Sequence, residues 1–326
     1  MKPDVTFSNP LSRTLAHYER ELSDTLLRCG LSAQSVPAHQ VEGRARVIGK
    51  LWMLRDAFRN VVAYRNSEQL HLQAWPSLGL LEARLWQSRK SKNIVLLHDP
   101  VPLRKQVGFD ALSKLWSANG SRINAPYIMV HSEDAQRATR GLLPRHQTLK
   151  ALHPILSSQR THKKSAEPSV VVAGQYKPER DLAMLGRVGP KLLAQGIKPK
   201  IIGRGWPLDI PGWTVTDSFI AEDEMDVLLG EAWAVLLPYN LYFQSGVAVR
   251  ALEQGTLTVS PRTSFVEDLM GSASRSIIDD ARSTHDVIRA LEYAVEHRND
   301  ASSTFIEYRD KVDSSWRTAM RIATAG

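Results

Sequence analysis

Ser169-Val170-Val171-Val172-Ala173-Gly174-Gln175-Tyr176-Lys177-Pro178-Glu179-Arg180-Asp181-Leu182 reads as a buried strand that stops at a glycine, turns through polar residues and enters a helix. The same alternation of short apolar, β-branched runs with longer helical patterns continues through most of the chain. Candidate strands are Leu70-His71-Leu72, Ile94 to Leu97, Tyr127 to Val130, Val170 to Val172, Lys200-Ile201-Ile202, Ala234 to Leu237 and Thr256 to Val259. This order of elements predicts an α/β fold of mostly parallel sheets with helices on both faces. Most of the runs end in Gly, Pro, His or Ser, which would lie at the carboxyl edge of a sheet, where open α/β folds bind ligands.

At 326 residues and 43% hydrophobic, the chain exceeds one ordinary core, since single domains typically hold ~100 to 200 residues. The polar, basic stretch after Pro154 lacks apolar periodicity and is read as a linker. The expected organisation is an N-terminal domain over 1–158, a linker over 159–168, a second domain over 169–300 and a helical tail over 301–326, which Trp316 would dock. A helix after His285 carries Val287, Leu291 and Ala294 on one stripe. No apolar run approaches the ~20 residues of a membrane span, and Met1-Lys2-Pro3-Asp4 does not begin a signal peptide. Cys29 is the only cysteine, which excludes an internal disulfide and suits a reducing compartment. A cytoplasmic location is expected, with the inner face of the membrane as an alternative. The net charge of +8 favours phosphate-rich partners. No nucleic-acid module is recognisable, so nucleic acid is the less favoured of these.

The segment from Val170 to Met270 resembles family 4 glycosyltransferases, retaining enzymes with two facing Rossmann-like domains of the GT-B type. Five pieces carry the resemblance in register. They are Val170 to Leu182, Ile201-Ile202-Gly203-Arg204-Gly205, Phe219 to Met225, the strand ending Leu236-Leu237-Pro238, and Gln244-Ser245-Gly246-Val247 leading to Gly255. In the first half, Leu96-Leu97-His98-Asp99-Pro100 and Val130-His131-Ser132-Glu133 agree less sharply. The resemblance implies transfer of a sugar, with retention, from a nucleoside-diphosphate sugar to a glycan, lipid-linked or other hydroxyl acceptor, in surface polysaccharide or glycoconjugate synthesis. It implies no cofactor beyond the donor.

Such a reaction must stabilise a departing diphosphate. Cationic side chains and the free amides of a helix N-terminus can do this without a metal. Arg180 stands where the family has a phosphate-contacting lysine, and Gln175 where it has an arginine, with Gly174 and Lys177 on the same turn and Gly203 on the next. Ser245, Gly246 and Val247 open the helix that would point amides at the phosphates. Plainer readings stand beside these: a solvated surface charge for Arg180 and an ordinary N-cap for Ser245.

The family's two glutamates, eight residues apart, fall on Tyr242 and Arg250. Neither is an acid, and a guanidinium cannot accept ribose hydroxyls. Glu253 could substitute only in a shifted register, and Arg250 could instead meet a phosphate or a carboxylate-bearing donor. Two explanations follow: an active transferase with rebuilt donor recognition, or a non-catalytic transferase-like partner. A nucleic-acid-modifying transferase is a further alternative. No Gly-x-Gly-x-x-Gly follows a strand, which argues against nicotinamide dinucleotides.

His98 and Asp99, with Arg104 and Lys105 nearby, could orient the acceptor hydroxyl or the sugar, or simply form a turn before Pro100. His131 and His153 read as structural. No Asp-x-Asp or clustered histidines suggest a metal, and the side chains of adjacent Asp279 and Asp280 would point apart. The helix expected over 41–63 mixes Val47, Ile48, Leu51, Trp52, Phe58, Val61 and Val62 with Arg44, Arg46, Lys50, Arg55 and Arg59. It is either a core helix with solvated arginines or a surface that lies on anionic lipid.

Overall fold

All seven apolar runs form strands in the computed structural model, which describes residues 4–9, 15–36, 46–90, 93–102, 106–120 and 122–325, without the side chains of 46–51 and 53. The chain forms two units, Met1–Pro154 with Lys311–Gly326, and Ile155–Asp310. Each holds one six-stranded sheet, and every strand pairing within the two sheets is parallel.

The first unit runs β1 (Val5–Ser8), α1 (Ala16–Arg28), β2 (Ala33–Val36), α2 (Arg46–Tyr64), β3 (Leu70–Gln73), α3 (Glu82–Leu85), β4 (Ile94–Leu96), α4 (Ala111–Ala118), β5 (Tyr127–Val130), α5 (Glu133–Leu142) and β6 (Thr148–Lys150). The strands lie in the order β2-β1-β3-β4-β5-β6. β1 is an interior strand, paired on both sides, although its sequence, Val-Thr-Phe-Ser, is half polar. Its polar side chains are buried against partners. Thr6 Oγ1 and Ser8 Oγ lie 2.9 and 3.0 Å from the two ring nitrogens of His71. That ring is stacked between Tyr64 and Trp86, with centroids at 4.8 and 4.6 Å. Burial pushes its pKa down to about 3, so it is neutral at physiological pH. Glu82 is fully buried nearby and accepts from Leu78 N and Trp86 Nε1. Burial raises its pKa to about 7 against the pull of those hydrogen bonds.

In the second unit, β7 (Ser169–Ala173), α6 (Leu182–Ala194), β8 (Lys198–Ile202), β9 (Thr214–Thr216), α7 (Glu222–Glu231), β10 (Ala234–Leu236), α8 (Gly246–Glu253), β11 (Thr258–Pro261), α9 (Ser264–Met270), β12 (Ile277–Ile278) and α10 (Thr284–Glu296) follow one another. The spatial order is β12-β11-β10-β7-β8-β9. Successive connections run outward from β7 in one direction and then from β10 in the other, so the winding reverses between β7 and β10. In open α/β sheets a ligand crevice forms outside the carboxyl ends of the strands at such a reversal. Val170, Val172, Val235 and Val259 are fully buried, as strands covered on both faces require.

α11 (Ala301–Ala325) contributes its first ten residues to the second unit and the remainder to the first. Trp316 docks that end within the first unit, fully buried and donating from Nε1 to Leu152 O at 2.8 Å. The stretch 159–168, expected to be a linker, is stitched to the second unit by its own polar groups. Arg160 N donates to Glu253 O, His162 Nε2 lies 2.8 Å from Gln254 Oε1, and Lys164 Nζ donates to Gly230 O and Gly255 O. Its basic character satisfies carbonyls near the ends of α7 and α8, where cations are favoured.

Candidate functional site

The carboxyl ends of β7, β8 and β10 are tied together by backbone hydrogen bonds. Gly174 N donates to Ile202 O and Tyr176 N to Arg204 O, joining the turns after β7 and β8. Asp181 N donates to Pro238 O and Asn240 N to Glu179 O, joining the β7 turn to the one after β10. Gly174 and Gly203 have φ of +98° and +150°, in the region that favours glycine. A Cβ on Gly203 would lie 2.1 Å from Gly174 O, so the two turns touch backbone to backbone. Trp206 Nε1 closes the contact by donating to that same carbonyl at 2.8 Å.

Arg180 lies in this seam and is 3% exposed. Its Cζ sits 4.0 Å from the Tyr239 ring centroid and 5.3 Å from that of Trp206. Nη2 donates to Ala173 O at 3.0 Å, whereas Nε and Nη1 are buried without an acceptor among the described residues. No carboxylate among the described residues pairs with it. Burial pulls its pKa below the ordinary arginine value, opposed by Tyr239, yet a guanidinium remains charged throughout the accessible pH range. A buried cation with two idle donors is costly to the fold on its own, and an anion at those donors would remove the cost.

The N-terminus of α8 converges on the same point. The Cβ position of Gly174 lies 3.6 Å from Arg180 Nη2 and 3.8 Å from Val247 Cγ2, with no other neighbour within 4 Å. Ser245 is the N-cap, its Oγ accepting from Ala248 N at 3.4 Å. The amides of exposed Gly246 and half-buried Val247 have no acceptor among the described residues. Arg180, Gly174 and the start of α8 therefore bring positive charge and free amides together at one sheet edge, which suits a phosphate group.

The other sequence-derived residues have different surroundings. Gln175 is exposed on the β7 turn, and Lys177 is half-buried with its carbonyl accepting Arg180 N. Tyr242 packs against Tyr239, ring centroids 5.4 Å apart and tilted by 33°, and places its hydroxyl 2.5 Å from Ser260 Oγ, so it backs the aromatic wall beside Arg180. Arg250, considered as a phosphate ligand, spends its guanidinium within the protein. Nε donates to Asp226 Oδ1, Nη1 to Glu222 Oε2 and Nη2 to Glu222 O, all at 2.5 to 2.6 Å. It clamps α7 to α8. Glu253 is fully buried and accepts from Leu156 N at 2.8 Å. Trp206 and Tyr239 were missed by sequence reasoning. Their signal was position, one directly after Gly203-Arg204-Gly205 and the other directly after the strand-ending Pro238.

In the first unit, His98 and Asp99 line a small cleft with Trp75, Pro76 and Phe109. His98 is buried, its Nε2 2.8 Å from Ala74 O. Tyr18 meets the rings of His98, His131 and His153. His131 lies 2.9 Å from the Tyr18 hydroxyl and 2.7 Å from Ala151 O. Burial, then the neighbouring His153 and His98, hold His131 neutral, and burial pushes His153 down to about 3. Arg104 and Lys105 lie outside the described residues, as do residues 41–45 of the basic helix. The described part of α2 buries Asp56, Ala57, Asn60 and Val61 and exposes Arg55, Phe58, Arg59 and Val62.

No protein-family description and no curated protein matches the sequence. Solved structures are similar in fold. A UDP-forming α,α-trehalose-phosphate synthase from Burkholderia xenovorans, in complex with glucose-6-phosphate, superposes with a TM-score of 0.62 at 9% identity, covering 98% of this chain and 99% of that one. TarM matches at a TM-score of 0.58 and 11% identity over 81% of this chain, which spans only 57% of TarM. The GtfA/B complex matches at 0.53 and 10%, covering 84% of this chain and 60% of that one. The fold is therefore the α/β architecture shared with GT-B glycosyltransferases.

Proposed function

We propose that this protein is a glycosyltransferase that binds the diphosphate of a nucleoside-diphosphate sugar between Arg180 and the N-terminus of α8, and passes the sugar to a hydroxyl acceptor. The observation that carries the reading is the Arg180 guanidinium, buried at the winding reversal with Nε and Nη1 unused. As the glycosidic bond to the donor breaks, negative charge grows on the departing phosphate. Arg180 and the Gly246 and Val247 amides are fixed in advance to stabilise it, so little reorganisation is needed. These donors supply what a divalent cation would otherwise supply, and transfer is expected to survive chelation by EDTA. The fold shared with a UDP-forming synthase supports UDP as the first nucleotide to test. The family 4 resemblance adds retention of anomeric configuration and a glycan or lipid-linked acceptor, with the cleft beside Asp99 assigned to that acceptor.

Calorimetric titration with UDP and GDP tests the donor site. Binding of one of them, weakened at least tenfold in Arg180→Ala, is expected. No binding of either, with Arg180→Ala behaving as the wild type, would sink the proposal. One observation favours a second reading, a nucleotide-binding partner without transferase activity. Tyr242 and Arg250 stand where the resemblance places two acids, and both are engaged inside the protein. Nucleotide binding without turnover of any of a panel of nucleotide sugars would select it.

A further inference from the structure

α4 is turned the wrong way for a helix of a soluble unit. It is capped by Asp110, which accepts from Ser113 N at 3.0 Å, and packs on the 79–85 segment. The face it buries carries Ser113 and Ser117, at 7% and 0% exposure. Its other face shows Leu112 at 78%, Leu115 at 63% and Trp116 at 45%. An amphipathic helix normally buries its apolar stripe. A contiguous apolar patch left outside marks an interaction surface.

The surroundings specify the partner's charge. Leu112, Leu115 and Trp116 line an open groove together with Leu81 and Arg84. Arg84 also lines a neighbouring depression with Arg65, Arg89 and Lys90, and among the described residues no carboxylate lines either one. Arg84 is the hinge between the two. Its Cζ lies 5.3 Å from the Trp116 ring centroid and its Nη1 donates to Asn119 O, at the end of α4, at 2.9 Å. Lys114 and Arg122 add exposed positive charge on and just beyond the helix.

We infer that the α4 face of the first unit docks on a bilayer containing anionic phospholipid. Leu112, Leu115 and Trp116 enter the boundary between headgroups and acyl chains, while Arg84, Arg89 and Lys90 meet lipid phosphates. Apolar insertion and basic charge at one surface are the two terms that hold interfacial helices on membranes. Tryptophan suits the boundary because its ring is apolar and its N–H polar. The surface differs from the exposed face of α2, and the inference stands apart from the nucleotide site.

Sedimentation of the full chain with vesicles tests it. Vesicles of equimolar phosphatidylcholine and phosphatidylglycerol should carry the protein down, and vesicles of phosphatidylcholine alone should carry far less. The double variant Leu112→Asp, Leu115→Asp should bind at least tenfold more weakly, as should Arg89→Glu, Lys90→Glu. Both alter exposed side chains, so both should keep the wild-type melting temperature. Leu208→Asp, at a 69% exposed apolar position of the second unit, should bind like the wild type. Three results would overturn the inference. One is failure of the wild type to bind the anionic vesicles. Another is full binding by the α4 variants, with loss in Arg55→Glu, Arg59→Glu, which would assign the contact to α2. The third is a dimer in solution that Leu112→Asp, Leu115→Asp dissociates while vesicles bind nothing, which would make the patch a protein interface.

Discussion

Two buried arginines of the second unit have opposite environments. Arg250, in the seam between α7 and α8, has its guanidinium matched by the carboxylates of Asp226 and Glu222 and by Glu222 O. Arg180, at the carboxyl edge of β7 and β10, has one backbone acceptor, two aromatic faces and two idle donors. The first is a closed account within the fold. The second leaves an unfilled requirement that a ligand can meet, so the same residue type is structural in one place and functional in the other.

The largest expected effect that tests this contrast is on stability. Arg250→Ala would leave Asp226 buried with only the half-exposed Arg160 as a partner, which costs about 3 to 5 kcal/mol for a broken buried pair. Urea unfolding of the variant should show that loss. A shift under 1 kcal/mol would mean that the clamp carries little. Arg180→Ala should do the reverse, leaving the melting temperature unchanged or raised while nucleotide affinity falls by about 1.5 to 3 kcal/mol, the usual worth of a hydrogen bond to a charged group. Arg180→Met, which fills the same space without charge, should melt higher than the wild type without nucleotide and gain nothing from nucleotide. A destabilised Arg180→Met would erase the distinction between the two arginines.

A pH-dependent effect extends the comparison to the first unit, where the buried rings of His71 and His153 have polar partners within the protein. His71 and His153 titrate near 6.5 when unfolded and about 3 when folded. Their contribution is complete above pH 6.5 and is lost as pH falls toward 3, by at most ~1.4 kcal/mol per pH unit for each. Unfolding of the first unit, followed by denaturant titration across that range, should show this acid weakening. Glu82 has the opposite sign. Its folded pKa of about 7 exceeds its unfolded value, so stability declines as pH rises from about 4.5 to 7 and is level above. Glu82→Gln should flatten that decline, which spans a narrower pH range than either histidine's.

The parts of the fold legible in the sequence are those with local signatures. All seven apolar runs are strands because parallel sheets covered on both faces need such runs. β1 lacks such a signature although it is paired on both sides, because Thr6 and Ser8 are polar and find their partner, His71, 65 and 63 residues away. β2, β6, β9 and β12 are edge or outer strands of two to four residues, too short for a pattern. Within the site, Gly174, Gly203 and the Ser245 cap could be read from turn and cap chemistry. The burial of Arg180 could not, since Tyr239 and Trp206 reach it from other turns of the sheet edge. Nor could the pairing of Arg250, whose acids lie 24 and 28 residues earlier on another helix.

The stitching of the three turns also sets a clock. Amides of Gly174, Tyr176, Asp181 and Asn240 are held by acceptors on neighbouring turns, so they should exchange with deuterium slowly in the empty protein, at a rate set by opening of the sheet edge. The amides of Gly246 and Val247 have no acceptor among the described residues and should exchange within the dead time until an anion arrives. A binding event would thus be recorded as the slowing of two adjacent amides against an already silent background.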